Sequence, residues 1–232
     1  MTLRKPPPSL LPVITGLLLA AAAPLQADAE YGGHVKTRFL GELLPANSLF
    51  RTVAGSTTAG LESDLRLTAE FADGPWSFDA AWQLSASLGE RVEVFGVGNT
   101  PAFGAGHPDP DRGRLFRLSD VIEDDRRFKA LHRVDRLAVG FARDNLVLRL
   151  GRQALSWGNG LVFSPMDIVN PFDPTAIDTE YKAGDDMLYG QWLRRNGNDL
   201  QVAVVFRRNL MTGDVDSDAA TTALKYHGIG SN

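Results

Sequence analysis

Hydrophobic and polar residues alternate along much of this chain. From Leu61 to Phe71 the odd positions are Leu61, Ser63, Leu65, Leu67, Ala69 and Phe71, and the even ones Glu62, Asp64, Arg66, Thr68 and Glu70. Successive side chains of a strand point to opposite sides of a sheet, so this spacing predicts a strand with one face in an apolar medium and one charged face. A helix would spread the same charges around its circumference. From Trp76 to Leu88 the even positions read Trp, Phe, Ala, Trp, Leu, Ala, Leu, against Ser77, Asp79, Ala81, Gln83, Ser85 and Ser87. An opening strand sets Tyr31, Val35 and Phe39 against His34, Lys36 and Arg38. Weaker alternation at Arg136 to Ala142, Leu146 to Gln153, Met187 to Arg195, Asp199 to Arg207 and Thr221 to Gly228 brings the expectation to about eight strands.

The connections fall into two kinds. Asp73-Gly74-Pro75, Arg143-Asp144-Asn145 and Asn196-Gly197-Asn198 are tight hairpins rich in turn formers. The stretches Glu42 to Gly60, Gly89 to roughly Arg127, Gly158 to Asp186 and Met211 to Ala220 hold the Pro, Gly and Asp clusters of irregular chain. Short and long links therefore alternate, as in an up-and-down transmembrane barrel whose short turns face one side and long loops the other.

The first segment places the chain outside the cytoplasm. Arg4 and Lys5 precede an apolar stretch from Leu10 to Ala23, and Ala27-Asp28-Ala29 offers a small-x-small cleavage site. Residues 1–29 are thus expected to be a secretory signal and 30–232 the mature domain. The apolar stretch holds Pro12 and Gly16 and is shorter than the ~20 residues of a spanning helix. With 44% hydrophobic residues, 22% charged residues and no cysteine, disorder, disulfide scaffolds and thiolate metal sites are excluded. A net charge of -4 supplies no basic stripe for nucleic acid.

Alternation by itself also fits a secreted or periplasmic β-sandwich or a lipocalin-like barrel. Strand length argues for a membrane wall, because the clean strands match the ~9–11 residues needed to cross tilted rather than the ~5–6 of soluble sheets. So do aromatic residues near strand ends, Tyr31, Phe39, Phe71, Trp76, Phe141 and Trp192. Consecutive charges on the polar face suit a wet lumen. The expected fold is all-β, an antiparallel up-and-down transmembrane β-barrel in the outer membrane.

The run Gly151-Arg152-Gln153-Ala154-Leu155-Ser156-Trp157-Gly158-Asn159-Gly160, with Phe163-Ser164-Pro165-Met166-Asp167, Asn170-Pro171-Phe172-Asp173-Pro174 and Gly184-Asp185-Asp186-Met187-Leu188-Tyr189-Gly190, resembles a family of largely uncharacterised porin-like outer-membrane proteins of Gram-negative bacteria. The resemblance implies a pore-like barrel of about twice this length, without a catalytic residue. Such barrels end on a strand with a terminal aromatic, whereas this chain ends on His227-Gly228-Ile229-Gly230-Ser231-Asn232. The expectation is a partial barrel truncated at its C-terminus; an intact eight-stranded barrel with a side-chain-filled interior is the competing reading.

Candidate functional residues follow from parity. Lys36, Arg38, Glu62, Asp64, Arg66, Asp79, Gln83, Arg149 and Gln153 are expected to line the pore. With Arg136, Arg207, Lys225, Glu70 and Asp199 the polar face is mixed in sign, so cross-strand pairing competes with ion selectivity. Arg152 falls on the apolar parity, which leaves either a bulge at Gly151 turning it inward or a place at the outer rim. Asp167, Asp173, Asp178, Glu180, Asp185 and Asp186, against Lys182, make an acidic loop that would narrow the lumen if folded inward. Folded outward it is a solvated surface loop or, without EF-hand spacing, a calcium site. His34, His107, His132 and His227 form no zinc pair and accompany no Gly-x-Ser-x-Gly nucleophile, so neither an enzyme nor a cofactor is expected. The expected function is a passive channel for small solutes. The expected partners are outer-membrane lipid, lipopolysaccharide and the barrel assembly machinery, with no nucleic acid. A non-conducting barrel whose loops bind a partner is the alternative.

Overall fold

Nine antiparallel strands form one sheet in the computed structural model, which describes residues 28–95, 111, 113–157 and 181–228. Residues 1–27, which hold the hydrophobic part of the expected leader, lie outside the described residues. The strands are β1 (Asp28–Leu43), β2 (Thr57–Asp73), β3 (Trp76–Gly89), β4 (Ser119–Asp125), β5 (Phe128–Arg143), β6 (Leu146–Gln153), β7 (Asp185–Leu193), β8 (Asp199–Val205) and β9 (Thr221–His227). Two short helices, Arg51–Ala54 and Glu90–Phe95, follow β1 and β3. Pairing runs β1-β2-β3-β5-β6-β7-β8-β9, and β4 adds to β5. No pairing joins β1 to β9 among the described residues, so the sheet is open at both edges.

The tight links behave as their residues dictate. Gly74 (φ +55°) turns β2 into β3, and Asp144 (φ +54°), a residue type that tolerates the left-handed region, turns β5 into β6. These two turns and the β7–β8 turn lie at one end of the sheet, and the long connections at the other.

Two expectations about strands need correction. The stretch from Gly89 to Arg127 is not irregular throughout, because it contains β4, which forms a hairpin with β5 through Arg126-Arg127. Asp120, Glu123, Asp124 and Asp125 crowd that strand with charge, and its turn lacks Gly, Pro and Asn. The fifth strand also begins at Phe128 rather than Arg136. In the β3–β5 register Ala81 faces Arg136 while the next residue, Trp82, faces Val134, leaving Asp135 as the extra residue of a β-bulge. Below the bulge the apolar parity is odd (Leu137, Val139, Phe141), and above it even (Phe128, Ala130, Val134), so period two breaks at Asp135. At the other end of the chain, Asp28 and Ala29, placed in the leader by sequence, continue β1 and pair with Ala72 and Phe71.

One face of the sheet is apolar and bare. Register aligns Phe39, Leu61, Leu88 and Phe128 in one row, Val139, Leu150, Leu188 and Val204 in a second, and Leu146, Trp192, Leu200 and Tyr226 in a third. Many of these are well exposed, Phe39 at 75%, Leu150 at 58% and Tyr226 at 62%, and no second sheet covers them among the described residues. At the short-turn end this face carries a row of rings. Tyr31 meets Phe71 edge-on at 5.7 Å, Phe71 lies 6.2 Å from Phe78, Trp76 meets Phe141 at 4.9 Å, and Trp192 has Arg194 over it at 5.0 Å. What core exists is on the opposite face, where Trp157 packs on Met187, Ala203, Val205 and Ala223.

Candidate functional site

The polar face is built by register and then tied together by side chains. Lys36 and Arg38 stand on β1, Glu62, Asp64 and Arg66 on β2, and Asp79 and Gln83 on β3, and all but Asp79, which faces Ala138, meet a polar partner on the next strand. Arg38 Nη2 donates to Glu62 Oε2 at 2.9 Å. Gln83 Nε2 and Ser85 Oγ donate to Asp64 Oδ2 at 2.5 and 2.8 Å, and Arg133 Nε donates to Gln83 Oε1 at 2.8 Å. A shallow pocket of about 100 Å³ opens between Lys36, Arg38, Glu62, Asp64, Ser85 and Ser87. On the lower half Arg149 Nη2 donates to Asp79 Oδ2 at 2.5 Å, reaching past β5. The β5 residues between them are Ala138, which is 2% exposed, and Gly140, where an added Cβ would lie 2.2 Å from Ser77 Oγ.

The bulge makes the centre of this face. An extra residue at 135 sets two consecutive residues against one on the partner strand. Arg66 Nη2 and Arg136 Nη1 donate to Asp135 Oδ2 at 2.7 and 2.6 Å, the Gly184 N–H donates to Oδ1 at 3.0 Å, and Arg133 Nε stands 3.8 Å from Oδ1. Three guanidinium groups thus converge on one carboxylate. Sequence parity placed Arg66 among residues lining open lumen, but it is 3% exposed. The Tyr181 ring covers it, 4.7 Å from the guanidinium carbon, and stacks on His34 at 5.0 Å.

Tyr181 arrives by a crossing of the face. The segment before β7 runs over the end of β6 to β5, where an added Cβ on Gly184 would lie 2.1 Å from the Asp135 carbonyl oxygen. Only glycine passes that close. The Lys182 carbonyl accepts from Arg136 Nη2 at 2.5 Å, and Lys182 Nζ donates to the Leu155 carbonyl at 2.5 Å. On the other flank of the same connection, Trp157 lies on β7–β9, and its carbonyl accepts from Lys225 Nζ at 3.3 Å. Both anchors of the long acidic connection therefore lie on the polar face. Asp167, Asp173, Asp178 and Glu180 lie outside the described residues.

Asp185 and Asp186 are not loop residues. They open β7 and are 0% and 1% exposed. Asp185 pairs with Arg207. Asp186 belongs to a fork where β4 and β6 meet on the same edge of β5, and Arg152 fills that fork. Gly151, at φ +123°, turns the chain there. Neither place open to Arg152 fits as expected: the register passes Gly151 without a shift, and the residue, 1% exposed, is enclosed in the fork rather than at an exposed rim. Its Nε and Nη2 donate to Asp186 at 2.9 and 3.1 Å, Nη1 to Asp111 Oδ1 at 2.9 Å and the Val134 carbonyl at 3.3 Å, and Nη2 to the Phe116 carbonyl at 2.7 Å. A guanidinium has five N–H donors, and all five are used. Burial pushes the Asp111 carboxyl up. The Arg152 charge and the hydrogen bonds from Ser119, Arg114 and the Leu118 N–H outweigh it and hold the group below the usual carboxylate range. Gln153, expected to line the lumen, is 3% exposed and donates Nε2 to the Arg149 and Met187 carbonyls, so it braces the sheet.

The cluster members that parity reasoning passed over are Arg133, Asp135, Asp111 and Tyr181. For Asp135 a signal existed: Arg133-Val134-Asp135-Arg136 puts two charges side by side where apolar and polar residues otherwise alternate. No group of three or more His, Asp or Glu residues able to hold a metal occurs among the described residues. No protein-family model, no curated protein and no solved structure matches this chain.

Proposed function

We propose that the chain forms the wall of a porin-like outer-membrane β-barrel channel that passes small solutes. The observation that carries this reading is the bare apolar face, continuous from β1 to β9 and opposite a cross-linked ionic face. In water each half-exposed Leu, Val or Phe forgoes roughly 1 kcal/mol of transfer free energy. A dozen such groups would cost about as much as the whole ~5–15 kcal/mol stability of a domain. Hydrocarbon around that face removes the cost.

The dimensions agree. Phe71 and Leu61 lie ten residues apart on β2. At about 3.3 Å per residue that is ~33 Å along the strand, or ~25 Å across a bilayer at a tilt of ~40°, the height of an outer-membrane apolar band. The ring row at the short-turn end is where an interfacial girdle belongs. Such a wall must close, because an unpaired edge in lipid costs several kcal/mol per backbone group, so β1 and β9 pair with each other or with further strands. In this reading the partners of the outer surface are lipid and lipopolysaccharide, and the assembly machinery inserts the barrel.

One observation favours a second reading, a non-conducting barrel whose long connections bind a partner. Trp157 and the Tyr181–Gly184 crossing occupy the polar face and narrow any interior. Planar-bilayer recording on the full chain separates the two. Stepwise conductance is expected for the channel, whereas insertion into vesicles without conductance is the result of the plugged form. A compact detergent-free monomer overturns both.

A further inference from the structure

We infer that the polar face carries a binding site for small oxyanions, a carboxylate or phosphate group, at the convergence of Arg66, Arg133 and Arg136 on Asp135. The three guanidinium groups bring three positive charges and the carboxylate returns one, leaving a local excess of two. Arg66 makes the excess sharper. Its side chain is 4% exposed, and its buried Nε–H has no acceptor among the described residues. A buried donor without a partner is rare in folded proteins, and an oxygen of a bound anion is one group that satisfies it. Among the described neighbours Asp64, linked to Arg133 through Gln83, lowers the excess to one without removing it. Tyr181 presents a ring face to Arg66, which attracts the cation without accepting its N–H hydrogen bonds, and Arg149 is committed to Asp79.

The ligand class follows from donor geometry. Planar guanidinium forks bind the paired oxygens of carboxylate or phosphate through two parallel hydrogen bonds, which chloride cannot reproduce. Access is from the polar face, where Arg133 and Arg136 are 24% and 18% exposed beside the buried Arg66. The site stands whether or not the protein conducts, since it needs only that this face be wet.

The test is titration of the folded full chain in detergent micelles with inorganic phosphate and, separately, with acetate, at constant ionic strength against chloride, reading the thermal midpoint and binding heat. A saturable rise in the midpoint with phosphate or acetate and none with chloride is expected. Arg133→Gln should weaken binding at least tenfold, the value of about one charge-assisted hydrogen bond. Arg133→Lys, which keeps the charge and loses the fork, should fall between. Arg143→Gln, in an exposed turn far from the cluster, controls for bulk charge and should bind as the parent does. Absence of saturation in the parent, or equal binding by parent and Arg133→Gln, overturns the site. Neither outcome depends on conductance, so failure of this inference and failure of the channel reading are read separately.

Discussion

Replacing Arg152 by methionine removes all five hydrogen bonds of its guanidinium from a site where the side chain is 1% exposed. Asp111 and Asp186 are left buried. Each retains part of its support, Asp111 from the Leu118 N–H at 2.6 Å and Arg114, Asp186 from the Phe116 N–H at 2.9 Å. Stripping one partner from a buried ion pair costs ~3–5 kcal/mol. The surviving bonds pull the value toward the lower end, and the Val134 and Phe116 carbonyls, now unpaired, add ~1 kcal/mol or more. The expected loss is therefore about 4 kcal/mol, measured as the shift of the urea midpoint, at unchanged slope, in phospholipid vesicles by tryptophan fluorescence. Arg152→Lys keeps the charge with three donors and should lose about half as much. Adding Asp186→Asn to Arg152→Met should recover part of the loss, because the buried charge goes with its partner. If Arg152→Met shifts stability by less than ~1 kcal/mol, the fork is not held as described.

The two faces can be told apart in the same assay. Leu65→Arg should destabilise the lipid-inserted protein by ~2–4 kcal/mol, while Arg38→Leu, which removes a half-exposed ion pair with Glu62, should stay within ~1 kcal/mol; equal effects would refute the assignment. Gly184→Ala should cost ~1–3 kcal/mol by forcing the crossing away from the Asp135 carbonyl, and proteolytic cleavage near Tyr181 should rise with it. Asp111 sets an acid limit: a carboxyl held below its unfolded value of ~3.9 contributes stability that is complete above that pH and lost as pH falls through the folded pKa. Below about pH 4 the parent should lose stability more steeply than Asp111→Asn; parallel acid profiles would count against the Arg152–Asp111 contact.

How much of this was legible in the chain depends on where a residue's direction is set locally. Trp76 to Leu88 alternates without interruption, and β3 spans it almost residue for residue. The upper half of β5 did not show because one inserted residue, Asp135, exchanges the faces, and a period-two reading stops where the period slips. Arg152 was ambiguous for a related reason. A glycine at positive φ precedes it, and parity loses meaning once the backbone leaves the extended region. Asp185 and Asp186 resembled the acidic loop before them in composition, and only their partners Arg207 and Arg152, brought near by β8 and β6, place them in the sheet. The Arg66–Asp135 pair joins residues far apart in the chain and no spacing rule announces it.

β5 carries two hairpin partners in tandem on one edge, β4 above Asp135 and β6 below it. The strand is a mast with separate rigging at two heights. Chain added between residues 95 and 111 leaves in place the contacts of Asp111 and Phe116 with Arg152 and Asp186, and need not shift the pairing of β6 through β9. One end of the sheet can thus be refitted while the other keeps its planking.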